Sequence, residues 1–123
     1  GNSTDYVANY FESLKIAASV GVYFQNLSYE EALVKAKRQG RKLFICFMNN
    51  EVAILEQENV CDLLNRNFLC LEYDVKKEKG LELVKQFGVN TFPTFIVMLP
   101  DGSVRQRVED IHDVEELKSI FVE

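Results

Sequence analysis

The chain has 123 residues, of which 47% are hydrophobic, 27% are charged and 11% are aromatic. That balance predicts one folded domain with its own apolar core, and no apolar run approaches the roughly 18 residues that a membrane-spanning helix needs. The formal net charge of -5 argues against nucleic acid as the main partner, because phosphate binding depends on a dense basic surface.

The first twenty residues predict an amphipathic helix. Apolar residues recur at helical spacing between Asp5 and Ser19, Thr4 or Asp5 can act as the N-cap, and Gly21 ends the pattern. The apolar positions are Tyr6, Val7, Tyr10, Phe11, Leu14, Ala17 and Ala18. We therefore divide the chain into a helical extension, residues 1–20, that packs on the domain, and a domain of residues 21–123. Because the chain opens without methionine, we expect a processed product from which any signal segment has been removed.

The rest of the chain alternates predicted strands and helices. In chain order these are strand 22–24, helix 29–39, strand 42–48, a helix from about 50 to 64, strand 68–74, helix 78–87, strands 94–99 and 104–108, and helix 111–121. Ser28 and Glu31 predict a capping box for the first of these helices, and Asn49 or Asn50 is expected to cap the second. Helix-connected strands predict parallel pairing and the final hairpin must be antiparallel, so that a mixed sheet with helices on both faces results.

The three cysteines, Cys46, Cys61 and Cys70, have neither Cys-x-x-Cys nor metal-binding spacing. His112 is the only histidine and is interpreted as part of a helix start, so that no zinc or other metal site is expected. Two of the cysteines lie in predicted interior strands and one lies mid-helix. Burial makes a thiol unreactive, so we interpret all three as packing residues, with a Cys46–Cys70 bridge as the alternative.

The segment from Phe87 to Thr94 carries the most specific motif. A predicted helix ends at Gly88, and a short loop leads through Phe92-Pro93-Thr94 into an apolar strand. With the element order and the Pro100-Asp101-Gly102 turn, this motif resembles the thioredoxin superfamily over about residues 22 to 122. The resemblance implies a thioredoxin-like α/β fold, here with an additional N-terminal helix.

Two further segments narrow the resemblance. Helix 29–39 with the following Gly40-Arg41-Lys42-Leu43, and the run from Glu56 to Phe68, look like the exported thioredoxin-like proteins of Bacteroidetes-type bacteria. This closer likeness implies a location in the periplasm or the cell envelope.

Active members of the superfamily carry Trp-Cys-x-x-Cys directly after the strand that corresponds to residues 42–48, where a helix N-terminus lowers the pKa of a thiol. Counting forward from that strand places Val52 and Leu55 at the two cysteine positions. Counting back from Val60 implies instead a deletion of about six residues that removes the motif. The buried acid of thioredoxins is replaced by Cys46. We assign no catalytic residue and no cofactor.

The resemblance also implies that the Phe92–Pro93 bond is cis and that the Phe92 main chain pairs with extended peptides. Asn49, Asn50 and Thr91 would border this groove, although each can equally be a helix cap or an ordinary loop residue. An open groove beside Pro93 would favour binding, whereas one filled by the side chains of residues 52–55 would favour a structural remnant.

These observations predict a redox-inactive thioredoxin-fold module that binds a peptide or protein, or serves structurally, in the bacterial envelope. One alternative is a thiol-disulfide oxidoreductase or isomerase that acts through a non-standard cysteine. Another is an assembly subunit whose N-terminal helix packs on a second chain.

Overall fold

The computed structural model describes residues 21–122, and the predicted N-terminal helix lies outside them. The helices are α1 (Tyr29–Gln39), α2 (Glu58–Asn67), α3 (Glu78–Phe87) and α4 (Val114–Leu117). The strands are β1 (Lys42–Met48), β2 (Phe68–Asp74), β3 (Thr94–Met98) and β4 (Val104–Glu109). Two 3-10 turns cover Ala53–Glu56 and Lys118–Phe121. Within residues 21–122, no helix has the length and apolar character to cross a membrane.

The four strands form one mixed sheet in the order β2-β1-β3-β4. β1 and β2 are parallel, whereas β3 is antiparallel to both β1 and β4. The prediction of parallel pairing is therefore wrong for β3. Residues 88–93 bring the chain back to the end of the sheet at which β1 finishes, so that Thr94 lies opposite Phe47 and the strand runs the other way.

Alternating side chains of β1 supply two separate cores. Phe44 and Cys46 point to a cluster that also contains residues of α2 and of the C-terminal helical segment. Leu43, Ile45 and Phe47 point to the opposite cluster, which contains residues of α1 and α3. A strand that is covered on both faces has a nearly continuous apolar sequence, and β1 has such a sequence. The predicted mixed sheet with helices on both faces is confirmed.

Local capping defines α1 as predicted. The Glu31 N–H donates to Ser28 Oγ over 3.1 Å, and the Ser28 N–H donates to Glu31 Oε1 over 2.8 Å. Gly40 ends the helix with a left-handed φ of 64°. These reciprocal bonds satisfy main-chain donors that the first turn would otherwise leave unpaired.

Gly80 in α3 makes a contact that the sequence pattern did not reveal. A Cβ added there would lie 1.9 Å from the main-chain oxygen of Asp74, the last residue of β2. Only glycine allows α3 to approach the strand end this closely.

The predicted helix over residues 50–64 is wrong in its first half. Neither Asn49 nor Asn50 caps a helix, because α2 begins only at Glu58 after an extended Gln57 with φ -73° and ψ 128°. In the 3-10 turn that precedes it, Ile54 and Leu55 are both buried, which draws the chain inward ahead of the amphipathic face of α2.

Two other predicted elements are shorter than expected. Strand 22–24 is reduced to one parallel bridge between Phe24 and Cys70. The last helix begins at Val114 and not at residue 111, because the Asp113 side chain accepts the Glu115 N–H over 2.9 Å and so acts as the N-cap. His112 instead contacts Asp110 Oδ1 over 2.9 Å.

Candidate functional site

The loop after β1 occupies the place where the resemblance puts a dithiol. Residues 49–52 have no regular secondary structure, the 3-10 turn follows, and α2 begins six residues beyond Val52. Val52 has an extended main chain with φ -110° and ψ 100°. An α-helix N-terminus lowers the pKa of a thiol within its first turn, so neither Val52 nor Leu55 has the backbone environment that activates a cysteine.

Val52 and Leu55 both line a cavity of about 490 Å³, which we call the Val52 cavity. Its apolar lining comes from Val22, Phe24, Met48, Val52 and Leu55, and its acidic lining from Glu51, Glu56, Glu72 and Asp74. Leu55 also belongs to the Phe44 core and is only 8% exposed. Pro93 does not line this cavity. Val52 and Leu55 therefore face the core and this cavity, which Asn50 and Lys76 also line.

The three cysteines are free and buried. The Cys61 thiol donates to the Leu55 carbonyl over 3.0 Å, and the Cys70 thiol donates to the Leu64 carbonyl over 3.6 Å. Burial raises the pKa of Cys70 to about 12, although the Arg41 charge opposes the rise. Burial also raises the pKa values of Cys46 and Cys61. All three thiols are therefore protonated at neutral pH, consistent with packing residues.

Glu72 is a charged residue of this region that the sequence reasoning did not single out. It lies opposite Cys46 in the parallel register and lines the Val52 cavity. Burial raises the pKa of its carboxyl group, Lys77 opposes the rise and Asp74 adds to it. Strand periodicity places residue 72 on the same face as residues 68 and 70, so a carboxylate after two buried residues of that face was a usable signal.

The proline loop, residues 91–94, is anchored by hydrogen bonds on both sides of the Phe92–Pro93 bond. The Phe92–Pro93 peptide bond is cis. The Thr94 hydroxyl donates to the Thr91 carbonyl over 2.7 Å, and the Asp110 N–H donates to the Pro93 carbonyl over 3.0 Å. Within residues 21–122, no hydrogen bond engages the main-chain N–H or C=O of Phe92. The loop thus presents one unpaired donor and one unpaired acceptor between anchored neighbours.

The sheet register places the predicted groove residues at one end of the molecule. Because Phe47 lies opposite Thr94, the end of β1 that leads into Asn49 is beside the start of β3 that follows Pro93. Asn49, Asn50 and Thr91 are exposed. The Asn49 carbonyl accepts a hydrogen bond from Lys76 Nζ over 2.5 Å, which ties this loop to the chain just beyond β2.

In the described part of the chain, no group of three or more His, Cys, Asp or Glu side chains is arranged to hold a metal ion. No family model and no curated protein matches the sequence.

Solved structures do match. A proposed disulphide isomerase from Bacteroides thetaiotaomicron is 30% identical, with a TM-score of 0.68 over 83% of this chain and 92% of that one. A thioredoxin from Thermus thermophilus is 25% identical, with a TM-score of 0.60 over 85% of this chain and 88% of that one. An oxidoreductase named DsbH is similar in fold, with 19% identity and a TM-score of 0.63 over 83% of this chain and 87% of that one. With the sheet order, the proline loop and the Bacteroides relative in agreement, the chain belongs to the thioredoxin-like superfamily.

Proposed function

We propose that this chain is a thioredoxin-fold module of the bacterial cell envelope that binds an extended peptide at its proline loop and does not exchange disulfides. The observation that carries the proposal is that no cysteine lies between the end of β1 and Cys61, in the middle of α2, although the Phe92–Pro93 bond is cis. The likeness to a Bacteroides protein supports the envelope location.

The redox part of the proposal rests on thiol chemistry. The thiolate is the nucleophile in disulfide exchange, and a thiol with a pKa of about 12, such as Cys70, is ionised to roughly one part in 10⁵ at pH 7. Cys46 and Cys61 are fully buried, so a protein disulfide has no path to their sulfur atoms without local unfolding.

The binding part of the proposal rests on the Phe92 main chain. A strand that pairs with Phe92 gains two main-chain hydrogen bonds at a place already fixed by the Thr94 and Asp110 bonds. Because the loop is held before the partner arrives, binding costs little additional ordering of this chain. Asn49 and Asn50 can supply side-chain amides to the same partner.

An NMR titration tests the binding proposal. The probe is carboxymethylated insulin B chain, an extended polypeptide that carries no free thiol. We expect shifts of the backbone amides of Thr91, Phe92, Thr94, Asn49 and Asn50, with none at Ser103 in the far hairpin. The absence of any shift at residues 91–94 at millimolar probe would contradict the proposed groove.

A second candidate function is disulfide isomerisation through one of the native cysteines, which is favoured by the description of the Bacteroides relative. It requires an accessible thiol with a lowered pKa. Native protein treated with iodoacetamide at pH 6 distinguishes the two functions. We expect no modified cysteine by mass spectrometry, and three after denaturation. Rapid modification of one cysteine in the native protein would support isomerisation.

A further inference from the structure

We infer that the outer edge of β2 at Glu72 is a second peptide site, which takes an extended segment whose arginine side chain enters the Val52 cavity. The strand order places β2 and β3 on opposite sides of β1, so this edge is separate from the proline loop that precedes β3. The second site therefore does not depend on peptide pairing at Phe92.

The main chain of β2 is unpaired on its outer side beyond Cys70. β2 is an edge strand, and the Cys70 carbonyl accepts the Gln25 N–H over 2.8 Å on the side away from β1. Main-chain groups point to alternate sides along a strand, so the N–H and C=O of Glu72 also point away from β1. Within residues 21–122, the only pairing on this side is the isolated bridge between Phe24 and Cys70. An extended peptide can therefore gain main-chain hydrogen bonds at Glu72.

The Val52 cavity adjoins this stretch of the edge and has a mixed lining. Glu72 is one of its acidic residues, whereas Phe24, Met48 and Val52 supply apolar surface. An arginine side chain suits such a lining, because its apolar stem packs on hydrophobic surface while its guanidinium group stays with polar groups. Phe24 also supplies an aromatic ring, on which guanidinium groups stack favourably.

Three carboxylates in the lining have no ion-pair partner. Glu51, Glu56 and Glu72 line the cavity, and none of them takes part in an ion pair within residues 21–122. The lysine of the lining, Lys76, is already engaged by Asp74, whose Oδ2 lies 3.8 Å from its Nζ. Charge complementarity therefore favours a cationic side chain over a neutral or an acidic one.

The same charges disfavour two other occupants. A second copy of this chain, paired edge to edge, would bring a second set of the same carboxylates to the site, where like charges repel. A metal ion is disfavoured because, in the part of the chain that the structure describes, no group of three or more His, Cys, Asp or Glu side chains is arranged to hold one. A basic extended peptide satisfies both the open edge and the acidic lining.

Titration of the full chain with two blocked pentapeptides tests the site. Both are built of valine and threonine around a central residue, which is arginine in the probe and glutamate in the control. With the arginine peptide, we expect shifts of the Glu72 backbone amide and of the Val52 and Leu55 methyl groups, and slower hydrogen exchange at the Glu72 amide. With the glutamate peptide, we expect neither change.

Three outcomes of this titration would overturn the inference. The first is an equal response to the two peptides, and the second is no shift at Glu72 at millimolar arginine peptide. The third is a shift of the methyl groups without slower exchange at the Glu72 amide, which would show charge attraction without strand pairing.

A charge-matched pair of variants locates the cation. Glu72→Gln removes one carboxylate from the cavity, whereas Glu116→Gln removes one from an exposed position of α4 that does not line it. We expect Glu72→Gln to weaken binding of the arginine peptide by about two- to fivefold, the range for one exposed ion pair, and Glu116→Gln to leave it unchanged. Equal weakening by the two variants would show attraction by net charge alone and would contradict the site. The insulin B-chain titration of Glu72→Gln keeps the two peptide sites apart, because shifts at Phe92 are expected to persist.

Discussion

The proline loop and the loop after β1 lie at the same end of the sheet, yet they are built in opposite ways. The proline loop is anchored by hydrogen bonds from the Thr94 hydroxyl and the Asp110 N–H. The loop after β1 has no side-chain cap on its 3-10 turn, which buries Ile54 and Leu55, and the Asn49 carbonyl accepts a hydrogen bond from Lys76 Nζ. The loop after β1 therefore contributes Ile54 and Leu55 to the core, whereas the proline loop leaves the Phe92 main chain without a hydrogen bond within residues 21–122. In this molecule the helix after β1 begins only at Glu58, after the buried 3-10 turn.

Among these variants, the largest change in the free energy of unfolding is expected in the loop after β1. Leu55→Ala removes a side chain that is 8% exposed and joins the Phe44 core, and we expect a loss of about 2–4 kcal/mol in the free energy of unfolding. Urea unfolding measures it. Val52→Ala is the matched control, with a smaller loss because Val52 is only half-buried. If Leu55→Ala cost less than Val52→Ala, packing would not be what holds this loop.

Removal of a single hydrogen bond in the proline loop should lower the free energy of unfolding. Thr94→Val keeps the shape of a fully buried side chain but leaves the Thr91 carbonyl without its donor, and we expect a loss of about 1–2 kcal/mol. Thermal unfolding of this variant is compared with that of Thr91→Val, whose side chain is exposed. A larger loss for Thr91→Val would show that the Thr94 hydroxyl does not anchor the loop.

Asn50→Ala tests whether the loop after β1 contains a cap. An N-cap asparagine typically contributes about 1 kcal/mol, but Asn50 is exposed and caps no helix here, so the expected change is below about 0.5 kcal/mol. Ser28→Ala, at the capping box of α1, serves as the positive control with a loss of about 1 kcal/mol. A loss at Asn50 as large as that at Ser28 would restore the predicted helix start.

Glu72→Gln is expected to change the free energy of unfolding by a small amount whose size depends on pH. A carboxyl group whose pKa is raised in the folded state favours folding while it is protonated, and that contribution is lost as the pH rises from the unfolded pKa through the folded pKa. The variant should therefore be slightly more stable than the parent at pH 7, by less than about 0.5 kcal/mol because water screens the exposed group, and the gain should vanish toward pH 4. Urea unfolding at both pH values measures the difference, and a variant less stable at pH 7 would show that Glu72 is held by favourable partners.

Sequence reasoning succeeded where conformation is decided within a few residues. Ser28 and Glu31 define the start of α1 through the predicted capping box, and the helix ends at Gln39 as its predicted bounds require. The predicted sheet with helices on both faces is also confirmed, because side chains of β1 contribute to a core on each side.

The failures share a different cause, which is dependence on contacts distant in sequence. The direction of β3 is set by its pairing with β1, not by the helix that precedes it. The delayed start of α2 follows from burial of Ile54 and Leu55 against residues far along the chain. Gly80 and Glu72 acquire their roles only through the end of β2 and the Val52 cavity. Periodicity could have drawn attention to Glu72, but the contact of Gly80 with Asp74 depends on how α3 packs against β2.

Reduction of insulin by dithiothreitol tests the central claim most directly, because it reports disulfide exchange whichever sulfur atom performs it. With the full chain added, we predict the same rate of insulin precipitation as in buffer, while a dithiol thioredoxin accelerates it. A clear acceleration by this chain, lost when Cys46, Cys61 and Cys70 are all replaced by serine, would contradict the account.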